Sequence, residues 1–162
     1  MIPESTIEQV LEQFESHAID YEQAVRDFGG RQPALLSFLI ADTEGVLSED
    51  EKDFMLYLAM VIFKSVEREN PDVPKVSPDE IAEAEEANWA LMDTTKGKPF
   101  QQRLDPFFEK SPQEDLLAFV EDSLFAEAED EDGASFTITK EGQEPMFVAL
   151  KTVIDVLTME EG

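Results

Sequence analysis

Apolar positions recur along most of this chain at helical spacing. Ile7, Leu11, Phe14, Ala18, Tyr21, Val25 and Phe28 follow one another at intervals of 4, 3, 4, 3, 4 and 3 residues. This heptad seam predicts a first helix from about Thr6 to Phe28. Ser5 followed by Glu8 has the form of a capping box, in which hydroxyl and carboxylate satisfy backbone donors reciprocally, and Gly29-Gly30 supplies a stop. Such a seam either packs inside a bundle or pairs two copies of the chain as a homodimer through Ile7–Phe28. Packing inside a bundle is the commoner use.

A second, short apolar helix is expected to begin at Pro33, which suits a first helical position, and to end near Asp42. The stretch from Gly45 to Asn70 carries the longest apolar run, Phe54 to Phe63. A helix apolar on every side has to be enclosed by other elements, so this one is read as the centre of the fold. Ten residues are about half of the roughly 20 that a membrane span needs, and Lys52 and Lys64 bracket the run. Ser48 with Glu51 forms a box at its start, and Asn70-Pro71 ends it.

Residues 70–76 read as a connector. Ser77, Pro78 and Glu80 then open a helix to about Asp93, with Ile81, Ala84, Asn88 and Leu91 on one face and Trp89 beside it. Residues 94–110 hold Gly97, Pro99 and Pro106, which predicts one or two short helical turns with Phe100, Leu104, Phe107 and Phe108 on the core. Ser111, Pro112 and Glu114 start a helix that runs out in the acidic tract beginning at Glu127, and Gly133 breaks it. A short extended piece over 136–138 precedes a last helix capped by Thr139. Pro145 lies too deep for that start, so the helix opens either near Gln143 or with a distorted turn.

Aligning Ser48 with Thr139, an offset of 91, brings Met55 onto Met146, Ile62 onto Val153, Phe63 onto Ile154 and Val66 onto Leu157. The preceding helices match at an offset of 81, Leu35 to Leu39 against Leu116 to Val120. These registers suggest that residues 33–69 and 112–158 are duplicated helical hairpins, within halves 1–70 and 77–162. Similar amphipathic helices also arise by chance. The expected architecture is a single all-α domain over 1–162: a compact orthogonal or bundle-like array of six to seven helices.

Charge narrows the function classes. Thirty-eight acidic against twelve basic residues leave a net charge of −26, which opposes direct binding to nucleic-acid backbones and to anionic membranes. It suits solubility or a basic protein partner. The chain has no cysteine, which removes disulfides and thiolate chemistry, and its first residues lack the features of a secretory signal. A cytoplasmic protein is expected.

Candidate chemistry is sparse. Asp42, Glu44, Gly45, Ser48 and Glu51 fall on positions 3, 5, 6, 9 and 12 of a calcium loop, but position 1 is Ile40. A turn and a helix cap use the same residues, so no metal site is assigned. His17 is the single histidine, and neither a nucleophile elbow nor a phosphate-binding loop is present. No catalytic residue and no cofactor are assigned. Lys96 and Lys98, around Gly97, read as counter-charges for neighbouring glutamates. The reading is a non-enzymatic acidic interaction or regulatory module. Trp89, Phe107 and Phe108 are its candidate anchors, and Glu127, Glu129, Asp130, Glu131 and Asp132 its candidate docking strip. The alternatives are an acidic nucleic-acid mimic that blocks a basic DNA- or RNA-binding protein, and a small calcium binder with degenerate loops.

Overall fold

The computed structural model describes residues 2–41, 47, 49–98, 100–110, 113–125, 128–129, 135–136 and 140–158. The helix with the longest apolar run is deeply enclosed. In α4 (Glu49–Glu69), Met55 and the whole run from Leu58 to Phe63 are at most 2% exposed. Its principal core partner is α9 (Lys140–Leu157), where Met146 to Leu150, Val153 and Ile154 are equally enclosed. The other elements are α1 (Glu4–Glu15), α2 (Tyr21–Arg31), α3 (Pro33–Ala41), α5 (Pro78–Asp93), α6 (Phe100–Arg103), α7 (Asp105–Lys110) and α8 (Glu114–Phe125). Helix α1 packs on α4, while α5 and α8 pack on α9 and α2 lies against α3 and α4. The fold is all-α. No helix among the described residues is long and apolar enough to cross a membrane.

The first long helix is two helices. Between α1 and α2 the chain turns through Ser16–Asp20, with His17 in the left-handed region at φ 62°. Asp20 caps α2 by accepting from the Glu22 amide at 3.1 Å. The turn lets Phe14 and Tyr21 both reach Tyr57 of α4, with ring centroids 5.7 and 6.1 Å away and 6.2 Å from each other. Burial, then Asp53, then Tyr57 push the Tyr21 phenol up to about 12. A continuous helix would have kept the seam but lost this three-ring cluster on α4. Ala18, a seam position, is exposed, and so is His17. The unbroken seam on which a paired first helix would rest does not form.

Two caps move as well. Helix α1 starts at Glu4 behind Pro3 with no side-chain cap of its own, so Ser5 and Glu8 make no box. Its leading amides are satisfied from across the fold: Gln113 Oε1 accepts from the Ile2 amide at 2.9 Å and Asp115 Oδ2 from the Glu4 amide at 3.0 Å. Gly29 and Gly30 lie inside α2, which ends at Arg31 with Gln32 as its C-cap because Pro33 follows. Gly29 serves packing: a Cβ there would stand 2.9 Å from Leu36 Cδ2 of α3.

Beyond α4 the expectations hold more closely. Ser77 and Glu80 form both bonds of the capping box at α5. Asn88, on the apolar face of α5, donates to Thr152 Oγ1 and Asp155 Oδ2 of α9 at 3.1 and 3.0 Å. Helix α8 stops at Phe125, and Ala128–Glu129 pairs antiparallel with Ser135–Phe136. Helix α9 begins at Lys140 and carries Pro145 in its interior, forgoing one backbone bond. The supposed caps Ser48, Ser111 and Thr139 lie outside the described residues. Helices α3 and α8 begin 81 residues apart, and α4 and α9 begin 91 apart, the same two offsets that align their apolar registers.

Lys96 and Lys98 are exposed and form no ion pair among the described residues. A half-buried counter-charge is supplied by Arg103. Its guanidinium donates to both carboxylate oxygens of Glu144 at 3.1 and 3.2 Å and to the Met92 carbonyl at 3.1 Å, tying α5, α6 and α9 together.

Candidate functional site

Helix α1 has two working faces because its apolar stripe is wider than its contact with α4. Ile7, Val10 and Phe14 are buried, whereas Leu11 stays half-buried on the outer shoulder between Glu4, Glu8 and Glu12. Helix α8 is built in the same way. Leu116, Leu117, Val120 and Leu124 turn inward, while Ala118 and Phe119 remain half-buried with Asp115 and Asp122 beside them.

The two bonds from Gln113 and Asp115 to the start of α1 hold these shoulders together. Between them lies a groove of about 380 Å³. Its floor is Ile7, Leu11, Ala118 and Phe119, its rim Glu4, Glu8, Asp115 and Asp122, and no basic residue among those described lines it. The lining spans residues 4–11 on one helix and 115–123 on the other. At about 1.5 Å rise per residue the groove is roughly 10 to 12 Å long, two turns of a docked helix. Glu121, next to the rim, has its carboxyl pKa raised by burial, then by Asp122 and Asp105. Asp122 and Asp105 add charge repulsion to that burial effect, so a cation placed beside Glu121 is favoured.

Chemically the groove offers apolar area and carboxylates. It suits an amphipathic segment whose apolar side covers Leu11 and Phe119 and whose flanks carry Lys or Arg.

The residues chosen from sequence stand elsewhere. Phe107 is 1% exposed and packs edge-on against Phe147 with centroids 5.0 Å apart, so it is a core residue and is not presented to a partner. Trp89 and Phe108 are half-buried on separate elements, α5 and α7, and neither lines the groove. Glu127, Asp130, Glu131 and Asp132 lie outside the described residues, and Glu129 is placed only through its backbone in the strand pair. Of the calcium-loop residues, Asp42, Glu44, Gly45 and Ser48 also lie outside them, and Glu51 is buried at 3% exposure.

Leu11 and Phe119 carry a sequence signal that periodicity alone passes over. Each apolar stripe is bordered by acidic residues three or four positions away, which marks a shoulder and not a core centre. Which two shoulders meet depends on tertiary packing. In comparisons with known proteins, the chain matches no family model, no curated protein and no solved structure. The class that fold and groove define is a compact all-α protein with an acid-rimmed apolar groove.

Proposed function

We propose that the protein is a non-enzymatic interaction module whose α1–α8 groove takes a basic amphipathic segment of a partner protein. One observation carries the reading: an apolar floor and four carboxylates, with no cation among the described residues, share one two-turn groove. Burial of Leu11 and Phe119 supplies affinity, and the surrounding net charge of −26 speeds the encounter with a cationic partner. The absence of cysteine fits a reducing, cytoplasmic setting. The matching helix starts support an internal duplication of α3–α4 as α8–α9, although among the described residues only α8 and α9 pack closely as a hairpin, and the groove joins α8 of the second copy to α1.

The test is titration of the whole chain with a synthetic Leu/Lys amphipathic helix, using calorimetry at two salt concentrations. Leu11→Ser and Phe119→Ser should each weaken binding by about tenfold, the equivalent of roughly 1.4 kcal/mol. Glu8→Gln with Asp122→Asn should instead flatten the salt dependence. Binding that ignores Leu11→Ser and disappears at high salt would reject the groove and favour phosphate mimicry by the acidic surface at large.

A further inference from the structure

Away from the groove, the connector after α4 closes over a second hollow. Gln32, 1% exposed, holds that connector from beneath. Its Nε2 donates to the Pro74 carbonyl at 3.0 Å, and its Oε1 accepts from the Val76 amide at 2.8 Å. Pro71 and Val73 become a fixed wall facing the end of α2 and the last turns of α4. Two adjoining hollows of about 330 and 380 Å³ share Arg31, Glu67 and Pro71.

Charge in the larger hollow runs against the rest of the molecule. Arg31, Lys64 and Arg68 line it, three of only twelve basic residues in the chain, and Glu67 is its single carboxylate among the described residues. Glu67 is shared: Arg31 Nη1 donates to one oxygen, and Lys64 Nζ donates to the other at 3.4 Å. The Lys64 side chain is 18% exposed, with Asp27 a further 3.9 Å neighbour. Arg68 donates to the neutral amide oxygen of Gln13 and forms no ion pair among the described residues. Ile19 and Pro71 add an apolar wall, while Asp72 lines the smaller hollow and makes that end unfavourable for negative charge.

We infer that this trough binds a compact small-molecule polyanion, with phosphate or carboxylate oxygens on Arg31, Lys64 and Arg68 and any apolar body against Ile19 and Pro71. Arg68 is the cation that Glu67 leaves uncompensated, and the Gln32 clamp fixes the wall before a ligand arrives. A monoanion reaching Arg31 and Lys64 exchanges one carboxylate for another with no gain. A species with two or more charges engages the same pair and Arg68 together, so charge number is the selective feature. Elsewhere the net charge repels such a ligand, which confines binding to this place.

The experiment is thermal unfolding and calorimetric titration of the full chain with millimolar pyrophosphate or citrate, against sodium chloride at matched ionic strength. At those concentrations, general salt exclusion from the surface is small. A saturable rise in Tm is expected with at least one of the two, pyrophosphate alone indicating phosphate chemistry and citrate alone polycarboxylate. Arg31→Gln with Arg68→Gln should weaken the apparent affinity by about tenfold or more while far-UV circular dichroism stays helical. A rise matched by sodium chloride, or unchanged in the double variant, overturns the proposal. Should the double variant not fold, Arg68→Gln alone decides: affinity at least about threefold weaker supports the site, and unaltered affinity rejects it.

Discussion

Ser65 sits fully enclosed in α4 with its hydroxyl making no hydrogen bond to any described residue. A buried polar atom left unpaired costs about 1 to 3 kcal/mol, and Ala fills nearly the same space without it. Ser65→Ala is therefore expected to stabilise the protein by about 1 kcal/mol, read as a higher urea midpoint at unchanged slope. A loss of stability would mean that the hydroxyl has a partner. Buried Asn88 and half-buried Arg103 contrast with it. Asn88 divides its amide between Thr152 and Asp155, and Arg103 spends its guanidinium on Glu144 and the Met92 carbonyl. Asn88 was legible as a polar residue on an apolar face. Its partners, 64 and 67 residues away, were not, because their approach depends on how α5 lies on α9.

At the scale of elements, the α1–α2 break shows what periodicity measures. A 4-3 pattern reports which residues face inward, and it stays nearly regular when two short helices joined by a turn both face the same neighbour. The turn had its own local signature in Ser16 and Asp20, which the seam outweighed. His17 holds the left-handed conformation that closes it. That conformation costs an L-residue about 1 to 2 kcal/mol, and glycine's extra unfolded-state entropy takes back about 0.5 to 1. His17→Gly should therefore raise stability by about 0.5 kcal/mol, measured by chemical denaturation, with helix content unchanged. A net loss above about 1 kcal/mol would assign the imidazole a contact that compensates the backbone cost. The start of α1 carries a similar lesson. Ser5 and Glu8 have the right spacing for a cap, yet the helix already starts at Glu4, and Asp115 of α8 and Gln113 just before it accept from the Glu4 and Ile2 amides. Those same two bonds set the shoulders of the groove.

For the molecule as a whole, charge opposes the fold that apolar burial drives. Thirty-eight carboxylates against twelve cations repel one another across a surface only a few tens of ångströms wide. Screening at about 0.1 M salt cuts these interactions beyond roughly 10 Å. The melting temperature should therefore climb by several degrees from low salt to about 0.2 M sodium chloride and then level off, as scanning calorimetry would record. A flat response would show that local ion pairs already balance the surface.

Sequence by itself determined the all-α class, the central position of α4 and the boundaries at Pro33, Ser77 and Asn70. Those rest on interactions within a few residues: an apolar run, a proline, a hydroxyl and a carboxylate three positions apart. Tertiary structure alone decided that α1 bends away at His17 and that Leu11 meets Phe119 across a groove. It also decided that three scattered cations gather beside Pro71. Each of these depends on which surfaces touch, and contacts between residues dozens of positions apart leave no periodic trace along the chain.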